Sequence, residues 1–573
     1  MNVESTTKNF NITKNFSIWD IIALSIIFWI FLLIKNATEY MYAPVPLNLD
    51  KEISLDVIKL PQYALRTTSR ILIALIISIT VSIIYALLAV KSERLRKIMI
   101  PFIDTMQSIP ILGYISFTIT GFIALFPGNI LGFELAVIFA VFTCQVWNIT
   151  YSLYQSFLSV PNDLRNTQTI FKLNAFQRFF LIELPFATPS LIWNAMISVS
   201  NSWFFVVASE AMIEGNNSYY LPGIGSYIAS AINTKNTTAI YYAIIAMIII
   251  ISLYNLLIFN PINNWAAKFK YDDTKTSDDL SLGYKIFSHS KLFLIANFPL
   301  KLSYRYFATT DYNYRTPKRL NHNYTNILRD LLWYLLIFTI FIYSAYSLIT
   351  FIKINISLHE ATYAFYLGFI TTIRIICTIS LTILFWLPIS IYIGSKPKIL
   401  KIFQPLVLIF ASFPANIIFP VCALLITKYH LNPNIWLSTL LIISMQWYLV
   451  FNILSGMNSF PLNIQNVITM IRPKKLTLLK KILMPSILPH FMVGAITAWG
   501  SAWNSTIVAE YAEWGNTSIE ALGIGSYITM ASNSGDTSRI ILGILVMLFY
   551  IELFNRLMWR PLFRYTDKLE RLK

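Results

Sequence analysis

Two arginines and two glutamates stand where apolar surroundings make charge expensive. Arg70 closes "TTSR" ahead of "ILIALIISI", and Arg374 closes "TTIR" ahead of "IICTISLTI". Glu210 sits in "VVASEAM" and Glu510 in "TIVAEYA". A full charge in such a setting faces an opposite charge, a water-filled path or the lipid headgroups. Three chemistries are therefore open. Each Arg–Glu couple can lock two helices together, the arginines can line an outward cavity and attract an anion, or they can snorkel to headgroups.

A second set of residues is polar or aromatic within apolar runs: Ser108, Gln145, Trp147 and Trp203, then Ser412, Gln446, Trp447 and Trp503. Such side chains line a path or gate, or else pack and hydrogen-bond between helices. Neither set offers a catalytic group. The five histidines are scattered singly and no H-E-x-x-H occurs, so no metal site is expected. Cys144, Cys377 and Cys422 lie far apart in apolar runs and read as packing residues. None of the 18 glycines precedes a lysine, so a phosphate-cradling G-x-x-x-x-G-K-[ST] loop is missing.

The elements that hold these residues are membrane helices. The chain is 56% hydrophobic and only 12% charged, about half the charge of an ordinary soluble domain. It offers roughly a dozen apolar stretches of the length a bilayer core requires, and so is read as an all-α polytopic membrane protein. The first span, from about residue 18 to 34, follows a polar leader (1–17) with no small-residue cleavage site, and is expected to be retained. The net charge of +17 is concentrated in alternate loops, such as "KSERLRK" from Lys91, "KPKILK" from Lys396 and "RPKKLTLLKK" from Arg472. This alternation is the positive-inside pattern. It places both termini and these loops in the cytoplasm, with twelve spans, and leaves no need for a nucleic-acid partner.

The hexapeptide GIGSYI occurs at Gly223 and again at Gly523, a displacement of 300 residues. On the same ruler Glu210 falls on Glu510, Trp203 on Trp503, Pro185 and Pro189 on Pro485 and Pro489, and Pro161 on Pro461. Upstream the displacement becomes 304: Arg70 meets Arg374, Pro101 meets Pro405, and Ser108 meets Ser412. The chain is a tandem duplication of about six spans per copy. The repeats run from 18 to 264 and from 330 to 562, parallel in orientation. A polar cytoplasmic linker (265–329) joins them, and a basic tail (563–573) follows.

After its fourth span each repeat carries a cytoplasmic segment of one design, 160–178 and 460–478. Each opens with a proline (Pro161, Pro461), continues as a short amphipathic helix and a basic stretch, and enters the next span through Pro-x-x-x-Pro. With "ASEAM", "VAEYA" and the two GIG triplets, the pattern resembles the type I permeases of ATP-binding-cassette importers. It is closest to the nitrate, sulfonate and taurine branch, and to bacterial anion permeases with two fused domains. The resemblance implies a type I permease fold and ATPase-coupling residues Pro161, Arg165, Asn166, Thr167, Gln168 and Lys172. Pro461, Asn466, Val467, Ile468, Arg472 and Lys474 are their counterparts. Asn166–Thr167–Gln168 and Asn466–Val467–Ile468 stand where the family has Glu-Ala-Ala, and Lys172 and Arg472 where it has a loop glycine. It further implies no cofactor on this chain, with ATP and magnesium held by two copies of a separate ATPase subunit. An external substrate-binding protein and contact with membrane lipid complete the expected surroundings, in a bacterial inner membrane. The alternative class is a secondary, ion-coupled transporter, which needs protonatable groups at mid-depth.

Overall fold

The computed structural model describes residues 53–266, 323–458 and 483–562. Ser108, Lys172 and the hairpin tips 215–216 and 515–516 fall outside it, while 269, 470, 477 and 478 are described singly. The leader, the span read at 18–34, nearly all of the linker, and the tail lie outside the described residues.

The first repeat opens with α1 (Leu60–Lys91), α2 (Glu93–Met106), α3 (Ile111–Leu125), α4 (Ile130–Leu158) and the short α5 (Asn162–Ile170). Then come α6 (Leu184–Glu210), the hairpin β1 (Ala211–Glu214) and β2 (Asn217–Tyr220), α7 (Ile224–Asn233) and α8 (Thr237–Tyr254). The second repeat follows the same order. It comprises α9 (Asn323–Asn355), α10 (Leu358–Gly394), α11 (Pro397–Ser412), α12 (Phe419–Lys428), α13 (Ser438–Asn458) and α14 (Met484–Ala509). It closes with β3 (Tyr511–Trp514), β4 (Thr517–Glu520), α15 (Ile524–Ser534) and α16 (Thr537–Phe554).

Local signals explain the boundaries. Ser92, Asn129 and Ser357 accept backbone N–H bonds at the starts of α2, α4 and α10, which meets donors that a helix leaves unpaired. Asn236 and Asp536, matched across the repeat, cap α8 and α16 in the same way. The chain breaks at Ser-x-Pro: Pro110 starts α3, while Pro414 follows the end of α11, where the path turns by 67° into the helices beyond. The change of ruler from 304 to 300 means that the second half is four residues shorter between its Ser-x-Pro and the next long span, and there α12 has only ten residues against the fifteen of α3.

Among the described residues eight helices are long and apolar enough to cross a membrane, or nine if the bent pair around Pro414 counts as one. Their outward faces carry isoleucine, leucine and phenylalanine, such as Ile76, Leu384 and Phe385, a composition that lipid tails accept as readily as a core does. Each repeat has its own interior, and the two interiors interlock. Helix α11 packs on α6 and α8 of the first repeat, while α3 packs on α14, α15 and α16 of the second. Leu400 and Val407 thus belong to the core of the first half.

Candidate functional site

The carboxylate of Glu210, at the last turn of α6, is the hub of the first repeat. It accepts from Arg70 Nη1 at 2.6 Å, from Thr67 Oγ1 at 2.7 Å and from the backbone N–H of Gly225 at 2.7 Å. Thr67 Oγ1 in turn accepts from Ile224 N–H. The second repeat repeats this circuit. Glu510 is held by Arg374, by Thr371 at 2.8 Å and by Gly525 N–H at 2.7 Å. All four charged side chains are at most 8% exposed, so every charge is met by an opposite charge or a donor, as burial demands.

This circuit explains the repeated GIG. Gly223 has extended backbone (φ −176°), which any residue can adopt, so its lack of a side chain serves proximity and not an unusual turn. A Cβ there would collide with the Glu210 carboxylate, and a Cβ at Gly225 with the carbonyl of Val207. Gly523 and Gly525 meet Glu510 and the Thr506 carbonyl in the same way. After Glu210 the structure places a four-residue-per-strand antiparallel hairpin followed by a short helix. Its first glycine is the N-cap.

The two circuits differ at one position. Arg70 also donates through Nε and Nη2 to both oxygens of Glu134, at 2.7 and 2.6 Å. Three hundred residues on stands Asn434, whose Oδ1 accepts from Leu522 N–H while Arg374 Nη2 donates to the Leu522 carbonyl. Sequence reading missed Glu134, because its counterpart is uncharged and the repeat therefore gave it no weight. Thr67 and Thr371 were present in "TTSR" and "TTIR", without a role until the fold brought them under the GIG backbone.

The polar and aromatic candidates separate into two groups. Ser412 Oγ lies 2.8 Å from Ser200 Oγ, across the boundary between the halves. Gln145 bonds Ser202 within the first half, and Gln446 accepts from Trp386 Nε1 within the second. Trp447 stacks on Phe410 at 4.9 Å, while Trp147 meets Phe102 edge-on at 6.0 Å. Trp203 and Trp503 are fully buried core residues. Ser108 lies outside the described residues. Of the coupling candidates, Pro161 precedes α5, which carries Arg165, Asn166, Thr167 and Gln168, and Arg165 donates to the Leu158 carbonyl at 2.9 Å. Lys172, Pro461, Asn466, Val467, Ile468, Arg472 and Lys474 lie outside the described residues.

The boundary itself is a polar seam. Asn504 Oδ1 accepts from Ile111 N–H at 2.8 Å and Asn416 donates to the Phe204 carbonyl at 3.3 Å. On α6 and α14 the half-buried face recurs at matched positions, Ile197, Asn201 and Phe204 against Thr497, Ser501 and Asn504. These are i, i+4, i+7 stripes, one face of each helix.

Fold and seam define a multi-pass helical membrane protein of two parallel repeats in the type I permease arrangement. The family of binding-protein-dependent transport system inner membrane components matches residues 67–262 and again 386–558. The chain belongs to that family and carries its domain twice. The resemblance read from the motifs is borne out. Among relatives, the chain is 26% identical over 177 residues to a nitrate import permease protein of Synechocystis sp., covering 31% of this chain and 59% of the relative. It is 28% identical over 189 residues to a glycine betaine transport system permease protein of Bacillus subtilis (32% and 61%). To a bicarbonate transport system permease protein of Synechococcus elongatus it is 24% identical over 173 residues (30% and 56%). The chain spans less than two thirds of the length of each.

Proposed function

We propose that this chain is the membrane-spanning permease of a bacterial ATP-binding-cassette importer, with both permease domains in one polypeptide. It forms the path for a small solute, in the reading favoured here an anion of the nitrate or hydrogencarbonate kind. The observation that carries this is the family's domain occurring twice in register and meeting along one seam. Two ATPase subunits dock at 160–178 and 460–478, holding ATP and magnesium, and an external binding protein delivers the solute. The chain itself hydrolyses nothing. Closure of the ATPases shifts the two coupling segments as rigid bodies and opens the seam to one side at a time. Ion coupling is the weaker reading: Glu134, Glu210 and Glu510 are each taken up by an arginine, and none is free to carry a proton across.

Co-expression with its ATPase tests the proposal directly: the purified assembly hydrolyses ATP and the chain alone does not. Arg165→Glu combined with Arg472→Glu should cut co-purified ATPase or coupled uptake by at least about tenfold, the scale of reversing paired interface charges. Unchanged co-purification together with unchanged uptake would sink the assignment of the coupling segments.

Inner-membrane placement and orientation rest on the alternation of basic loops. In right-side-out cells a cysteine introduced at Thr276 should stay unlabelled by an impermeant maleimide and become labelled after permeabilisation. Labelling from outside would invert the topology.

A further inference from the structure

The middle of the seam has a chemical character of its own. Cys144 lies at the midpoint of the 29-residue α4, and Tyr448 at the midpoint of the 21-residue α13. These two residues, from different halves, are neighbours. Tyr448 exchanges a hydrogen bond with Ser501 of α14, and Tyr114 of α3 donates to Thr143 Oγ1 at 2.8 Å beside Cys144. Cys144, Tyr114, Tyr448 and Ser501 lie among several helices, and each is only half-buried. A Cβ added at neighbouring Gly500 would meet nothing within 4 Å.

Among the described residues of the helices around this place, no unpaired fixed charge stands at mid-depth. Helices α3 and α13 contain no Asp, Glu, Lys or Arg. Helix α4 has only Glu134 and α6 only Glu210, both tied to Arg70, and α14 has only His490 as a titratable group besides its end. A solute at mid-depth therefore trades water for hydroxyl and amide hydrogen bonds alone. Solvation cost rises with the square of charge, so a divalent anion loses about four times what a monovalent one loses. Uncharged donors do not make good that difference.

We infer that Tyr448, Ser501, Tyr114 and Cys144 form a charge-free selectivity site at mid-path, which passes monovalent or zwitterionic solutes and rejects divalent oxyanions. This rests on the importer reading above and adds to it the class of cargo and the residues that sort it.

The complete importer, with ATPase and binding protein, is reconstituted in vesicles and assayed with nitrate, hydrogencarbonate, glycine betaine and sulfate. Absence of ATPase in the parent assembly counts against the importer reading itself, before selectivity is measured. With ATPase present, the parent should carry at least one of the first three and exclude sulfate. Tyr448→Phe and Ser501→Ala should each lower ATP-driven uptake of that solute about five- to tenfold, the worth of one hydrogen bond to a polar solute, at unchanged ATPase content. Ser501→Asp should abolish uptake of an anion. Sulfate as the preferred cargo, or parental uptake by both Tyr448→Phe and Ser501→Ala, would each overturn the inference.

Discussion

Replacing Arg70 by alanine should leave almost no folded permease in the membrane, a larger loss than the equivalent change at Arg374. Removing one member of a buried ion pair typically costs about 3–5 kcal/mol, because the partner is left charged and unpaired. Arg70 serves two carboxylates, Glu134 and Glu210, whereas Arg374 serves Glu510 alone and otherwise donates to a carbonyl. Loss of Arg70 thus strands two buried charges, and loss of Arg374 strands one. Thermal unfolding in detergent should rank parent above Arg374→Ala above Arg70→Ala. Adding Glu510→Gln to Arg374→Ala should recover part of its loss, since the amide needs no counter-charge. An Arg374→Ala chain as stable as the parent, with only its uptake reduced, would assign the arginines to anion attraction and end the locking account.

The glycines beneath these carboxylates supply the second large effect. Gly225→Ala and Gly525→Ala place a methyl against the carbonyls of Val207 and Thr506, which are backbone atoms of long helices and cannot swing away. Each should cost at the upper end of overpacking penalties, about 3 kcal/mol, and displace the N–H that Glu210 or Glu510 accepts. Gly121→Ala is the control, since nothing lies within 4 Å of its added Cβ. Equal melting temperatures for Gly525→Ala and Gly121→Ala would refute the close-approach explanation of the repeated triplet.

These cases show what could be read from residues alone. Class and duplication were legible because both rest on signals that survive without contacts: apolar length, basic-loop alternation, and prolines, tryptophans and glycines at one displacement. The hub role of Glu210 was half legible, since the repeat marked the residue, its burial cost and Arg70 as a partner. Its remaining partners are a threonine from α1 and a backbone N–H from α7, which only folding brings together. Glu134 was invisible, being a lone carboxylate with Asn434 as its counterpart. The charge-free centre is a property of five helices taken at once, and no single stretch of sequence displays it. The hairpins after Glu210 and Glu510 were also missed, because strands of four residues carry too little periodicity to register.

The interlocked packing of α3 and α11 has a consequence for how the protein is made. The first half finishes its core only when Leu400 and Val407 arrive, and α11 begins more than a hundred residues after α8 ends at Tyr254. At a synthesis rate of about 5–20 residues per second, the ribosome needs roughly 7–30 s to cover that interval. Throughout that time the half already inserted lacks the apolar side chains of α11 that complete its interior. A dimer of separate subunits would have to find its partner by diffusion in the membrane before this interior closed. The fused chain instead delivers the missing helix on a tether, so closure depends on translation speed and not on how many copies the membrane holds.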